Sequence, residues 1–124
     1  MKVAVTAKGK DIGSPVDPRF GRCPYFVVVD IDTMATEGLE NPGALAGTGA
    51  GVAAAQIIAD AGAEAVISNV VGPHAFTALN EGDITVYGGA AGSVKSAIEM
   101  WKNGQLQQLD VPNAPLEAGA QRRG

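Results

Sequence analysis

Residues 2–7, KVAVTA, alternate between polar and apolar positions and carry β-branched side chains, which predicts an opening strand. YFVVVDID at 25–32 is longer and nearly continuous in apolar residues, as a strand in the middle of a sheet would be. MATEGLENP at 34–42 predicts a weaker edge strand, ended by Pro42 and interrupted by Gly38. From 49 onward the pattern changes. GAGVAAAQIIADAG at 49–62 predicts an Ala-rich helix stopped by Gly62, and AEAVIS at 63–68 predicts a strand. PHAFTALNEG at 73–82 reads as a short helix with Pro73 in its first turn, and DITVYG at 83–88 as the last strand. In SVKSAIEMWKNG at 93–104, Val94, Ala97, Ile98 and Trp101 share one helical face, and Gly104 closes the helix.

The element order is β-β-β-α-β-α-β-α. The first two strands are expected to run antiparallel, and the later β-α-β units to be parallel and right-handed. This predicts a three-layer α/β fold, a five-stranded mixed sheet with helices on both faces. No internal repeat or linker divides the chain, so residues 1–110 are expected to form one domain. Residues 111–124 are small, polar and Pro-containing, and are expected to form a loose tail.

The chain length of 124 residues suits one such domain, and a hydrophobic content of 46% is enough to give it a core. No run approaches the roughly 20 apolar residues needed to cross a bilayer, and nothing resembles a signal peptide. A single Cys leaves no internal disulfide, so the cytoplasm is the expected compartment. A net charge of −4 argues against nucleic acid or an anionic membrane as partner. An anionic ligand would therefore need a local positive site.

The predicted topology supplies one. In open α/β sheets ligands bind beyond the carboxyl ends of the parallel strands. Four connections reach that edge: AKGKDIG, AGTGAG, NVVGPH and GGAAGS. The antiparallel second strand brings a fifth, DPRFGRCPYF at 17–26, which holds two arginines, the only Cys and several aromatics. Three of these loops are Gly-rich and lead into helix N-termini, where unpaired N–H groups and partial positive charge favour anions. The candidate ligand-binding residues are Arg19, Phe20, Gly21, Arg22, Gly49, Gly51, Asn69, Gly72, Pro73, Gly89 and Gly92, with Lys8 and Lys10 nearby. Cys23 and His74 are the candidate metal ligands.

Each has a plainer alternative. Arg19 and Arg22 could fasten the loop to Asp17 and Asp30, and Cys23 could be a small buried hydrophobe. Phe20 could belong to the core, His74 could be an inert surface imidazole, and the glycines could serve only positive φ. Sharper motifs fail. Gly49, Gly51 and Ala54 fit G-x-G-x-x-A, but no strand precedes them and no acidic residue follows at the required distance. There is no phosphate-binding GK[ST], and one Cys with one His cannot complete a four-ligand zinc site. A triad would have to combine Ser68 or Ser93 with His74, and neither serine sits in a nucleophile elbow. The first strand also lacks the acidic residues of a carboxylate metal-ion nuclease. The chemistry expected is therefore binding, not catalysis. The alternatives are a protein-interaction module in a larger assembly and an enzyme acting on a phosphorylated or nucleotide ligand.

SPVDPRFGRCPYFVVVD, the ENP…GTGAGVAAAQIIADAGAEAVI block and NVVGPHAFTALNEGDITVYGG together resemble the dinitrogenase iron–molybdenum cofactor biosynthesis family, over Met1 to about Leu109. The resemblance implies a ribonuclease-H-like fold with one antiparallel strand and no nuclease activity. It implies binding or carriage of molybdenum- and iron-containing sulfide clusters. The DPRFGRC and VDIDTM runs look most similar to small stand-alone members from anaerobes, a branch that carries a mixed molybdenum–copper sulfide cluster. An iron–molybdenum–sulfur cluster or its precursor is the alternative cargo. Cofactor-carrying relatives use a His, for which His74 is the sole candidate. Such a cargo is a sulfide-rich anion whose sulfides already satisfy its metals, so one Cys and one His would suffice. A soft thiolate would suit its copper.

Overall fold

The computed structural model describes residues 1–45 and 49–112. From residue 113 the expected tail lies outside the described residues. Strands β1 (Lys2–Ala7), β2 (Tyr25–Asp30) and β3 (Thr36–Glu40) precede a 3₁₀ turn at Pro42–Leu45. Then follow α1 (Ala50–Asp60), β4 (Ala63–Ile67), α2 (Pro73–Glu81), β5 (Thr85–Gly88), α3 (Val94–Lys102) and β6 (Gln107–Gln108). The sheet order is β3-β2-β1-β4-β5-β6.

Side-chain alternation along the strands builds two cores. On one face Ala4, Phe26, Val28, Val66 and Val86 meet Ala54, Ala55 and Ile58 of α1 and Phe76 and Leu79 of α2. On the other face Val3, Val5, Val27, Val29 and Ile67 meet Val94, Ala97 and Ile98 of α3. The expected three-layer α/β arrangement is present, with α1 and α2 together and α3 opposite.

Two features of the expected sheet are corrected. It has six strands, not five, because Gln107 and Gln108 pair antiparallel with Gly88 and Tyr87. Two strands are therefore reversed, β2 and β6, while β1, β3, β4 and β5 share one direction. The edge strand also starts later than expected. Met34, with φ of 63°, donates its N–H to the Asp30 carbonyl at 2.6 Å and closes a turn, so pairing begins at Thr36. Gly38 is explained by close approach: a Cβ there would lie 2.6 Å from the Lys10 Cβ.

Parallel β1, β4 and β5 end on one rim, and reversed β2 begins there. All the connections of interest leave or enter at that rim.

Candidate functional site

The 17–26 segment is laced into the rim by backbone bonds. Phe20 N–H donates to the Val70 carbonyl at 3.0 Å, and Val70 N–H donates to the Pro18 carbonyl at 2.6 Å. Arg19 thereby sits beside Val70, two residues before Gly72. The Asn41 side-chain amide donates to the carbonyls of Gly21 (3.1 Å) and Cys23 (2.8 Å), tying the segment to the 3₁₀ turn. Ala90 N–H donates to the Ser68 carbonyl at 3.2 Å, which brings the connection after β5 against the one after β4. Val16 N–H bonds the Gly92 carbonyl at 2.8 Å. These bonds hold Arg19 against Val70, two residues before Gly72, and the connection after β5 against the one after β4.

The glycines divide into two groups. Gly21 (φ 92°) rests on the start of α1, where a Cβ would lie 3.0 Å from the Gly51 Cα. Gly51 in turn faces α2, with a Cβ there 2.8 Å from the Ala75 Cβ. Gly92 (φ 82°) is crowded by the Ser96 hydroxyl. Packing accounts for these three. Gly49, Gly72 and Gly89 instead meet no heavy atom of the described residues, chain neighbours aside, within 4 Å of a built Cβ. Gly49 and Gly89 have φ of 75° and 87°, which favours glycine. Gly72 does not: its φ of −76° and ψ of 171° suit any residue. Neither backbone strain nor crowding explains glycine there.

The three helix N-termini are also unequal. Ser93 caps α3 and forms a reciprocal capping box with Ser96. Val94 and Lys95 N–H groups donate to Ser14 and Ile12 carbonyls, each at 2.9 Å. That helix start is satisfied by the chain itself. Gly49 and Gly72 provide no side-chain cap for α1 or α2. Because Gly51 packs on Ala75, these two starts, neither capped by its own N-cap residue, lie side by side, their dipoles adding at one place.

Side chains around the rim are cationic at its surface. Arg19 is 61% exposed and its guanidinium lies 3.4 Å from the buried Asp17 carboxylate, through both Nε and Nη2. Arg22 is exposed, and its Nη1 donates to the Ala44 carbonyl at 3.4 Å. His74 is exposed on the first turn of α2, Lys8 is exposed, and Asn69 is half-buried next to Val70. Lys10 turns away to Glu40 at 3.5 Å and lies over the Tyr25 ring. Val52 (51% exposed) and Val70 (41%) add apolar surface to the rim.

Two candidates sit in the wall behind this surface. Phe20 is buried against Phe26, with ring centroids 5.8 Å apart. Cys23 is wholly buried in the core. Burial, reinforced by the negative charge of Asp17, pushes its thiol up to about 12, which disfavours the thiolate a metal needs. Among the described residues no three His, Cys, Asp or Glu side chains converge as a metal-ion site. Two concavities lie elsewhere. One of about 310 Å³ is lined by Phe76, Asn80, Asp83 and Asp110, and one of about 270 Å³ by Lys2, Asp30 and Glu37.

Sequence reasoning overlooked Asn41, whose Oδ1 is buried without a partner while its amide holds two rim carbonyls. The Asn-Pro pair at 41–42 was its available signal, since that dipeptide favours turn initiation. No helix among the described residues is long and apolar enough to cross a membrane.

The chain is similar in sequence and in fold to known proteins. The orange protein of Desulfovibrio gigas, solved in its apo form, superposes with a TM-score of 0.88 at 41% identity, covering 91% of this chain and 96% of that one. An NMR structure of a NifB-like protein from Thermotoga superposes with a TM-score of 0.77 at 35% identity, covering 87% and 92%. An uncharacterised protein of Methanocaldococcus jannaschii is 30% identical over 118 residues, 89% of this chain and all of that relative. A family model described as dinitrogenase iron-molybdenum cofactor matches residues 1–104. The chain belongs to the dinitrogenase iron–molybdenum cofactor family.

Proposed function

We propose that this protein binds and carries an anionic, sulfide-rich metal cluster at the rim, as cargo and without catalysis. The observation that carries this reading is the pair of adjacent, uncapped helix starts beneath Gly49 and Gly72, with Arg19 beside them. Sulfide surfaces accept N–H hydrogen bonds from such amides, and glycine admits them to close range. The family and the likeness to the orange protein support a molybdenum-containing cargo. Of the two expected forms, a molybdenum–copper sulfide cluster is the one that the resemblance of the DPRFGRC and VDIDTM runs implies. Burial and the raised thiol pKa argue against the expected ligand role of Cys23. The cargo must therefore supply its own sulfides, with His74 the remaining side-chain ligand at the surface. Arg19, Arg22, Asn69, Pro73 and Gly89 would complete the receptacle. The strand order β3-β2-β1-β4-β5 with β2 reversed supports the ribonuclease-H-like reading of the fold. A cytoplasmic location belongs to the same proposal.

Anaerobic reconstitution with molybdate, copper and sulfide tests it. The protein should retain molybdenum and a visible absorption band through gel filtration, and an Arg19→Ala/Arg22→Ala variant should retain several-fold less while staying folded. A wild-type protein that takes up no metal overturns the reading. The exposed Val52 and Val70 favour a second role for the same edge, docking on a protein that donates or receives the cargo.

A further inference from the structure

Among the described residues Asp17 is the one buried acidic side chain, at 2% exposure, and it is positioned with unusual redundancy. Its N–H donates to the Thr6 carbonyl at 3.0 Å, and the Thr6 hydroxyl donates back to the Asp17 carbonyl at 2.6 Å. Thr6 Oγ1 lies 2.9 Å from Ser68 Oγ, which anchors the pair to the end of β4. The following Pro18 and the Arg19 N–H, donated to Asp17 Oδ1 at 2.9 Å, close an Asx turn. That turn needs only a neutral oxygen. A carboxylate is not required for it, yet a carboxylate is present, and both of its oxygens face the Arg19 guanidinium at 3.4 Å.

These contacts are long for a charge-assisted pair, and one partner is mostly in water. Arg19 can leave Asp17 when a stronger anion comes within reach, the buried carboxylate then keeping the Arg19 N–H as its partner. We propose that Asp17 is a positioning residue that acts as a built-in counter-anion, competing with anionic cargo for Arg19 and so holding affinity below its maximum to permit release. A carrier must give up what it binds, and a fixed internal competitor achieves this without a moving part. The inference rests on the carrier reading and adds to it a determinant of release.

The test uses tetrathiomolybdate as probe, with its affinity and dissociation rate read from visible absorbance under anaerobic conditions. Asp17→Asn keeps an oxygen for the Asx turn and removes the charge. It should bind the probe about two- to fivefold more tightly, the range of an exposed ion pair, and release it correspondingly more slowly. In an Arg19→Gln background the same substitution should change affinity by less than half as much, a coupling that a purely structural role would not produce. Glu64→Gln, which removes one negative charge at the exposed start of β4, should leave affinity unchanged and so exclude a general charge effect. Thermal unfolding of each variant shows that it is folded. Unchanged or weaker binding by folded Asp17→Asn, or an equal effect with and without Arg19, overturns the proposal while leaving the carrier reading intact. A wild-type protein that does not bind the probe overturns both. If Asp17→Asn does not fold, Asp17→Ser, which also keeps an acceptor oxygen, is judged by the same outcomes.

Discussion

Gly72 separates binding from folding. With ordinary φ and ψ and free space at its Cβ, it tolerates any side chain, and an acidic one would cap α2. Gly72→Asp should therefore be as stable as wild type or more stable by a few tenths of a kcal/mol. It should bind tetrathiomolybdate at least tenfold more weakly, because the carboxylate takes the amides the anion needs and repels it. Urea unfolding and a probe titration on the same sample measure both. Cys23 makes the opposite case, a conspicuous residue whose role is packing. Its thiol stays protonated in the folded chain up to about 12, against an ordinary value of 9.0. Above pH 9 the unfolded chain ionises first, so the contribution of the thiol to stability is full below that pH and is lost as pH rises toward 12. The unfolding midpoint of wild type should accordingly fall more steeply between pH 9 and 10.5 than that of Cys23→Ala, with circular dichroism as the readout. The lone Cys in DPRFGRC invited a ligand role from composition, and burial, which no single sequence displays, weighs against it.

The elements show how far pattern can carry a reading. Strands β1, β2, β4 and β5 and all three helices were legible because each buries a periodic apolar face. Strand β6 was not, since Gln107 and Gln108 are polar and exposed and owe their conformation to pairing with Tyr87 and Gly88. The late start of β3 escaped for a similar reason: Met34 has no propensity for the positive φ that the turn imposes on it. Three Gly-rich helix starts looked equivalent in sequence, and the structure distinguishes them. The start of α3 is closed by Ser93, Ser96 and two carbonyls of the 12–14 loop, so it belongs to folding. Ser93→Ala should lower stability by about 1 kcal/mol in urea unfolding and leave tetrathiomolybdate affinity within twofold of wild type. A loss of affinity on that substitution alone would move the site toward α3.

Across the molecule, charge is arranged by topology. Asp30, Asp60, Glu64, Glu81 and Asp83 stand at the ends of β2, α1 and α2 or just before β4 and β5 pair, opposite the rim. Arg19, Arg22 and His74 stand on the rim. Glu40 and Asp17 also stand at the rim end and Lys2 and Lys102 at the other, so the positive charge of the rim is local, two guanidinium groups on a chain with net charge −4. Whole-chain charge argues against nucleic acid and anionic membranes as partners, and a local positive edge leaves room for an anionic cargo. The most direct measurement is an amide NMR titration of the wild-type protein with tetrathiomolybdate under anaerobic conditions. The account predicts that the largest shifts fall on Arg19, on Gly49 to Val52 and on Gly72 to Ala75, with little change at Ser93 to Ser96. Shifts centred on Phe76, Asp83 and Asp110 or on the start of α3, or none at millimolar probe, would contradict it.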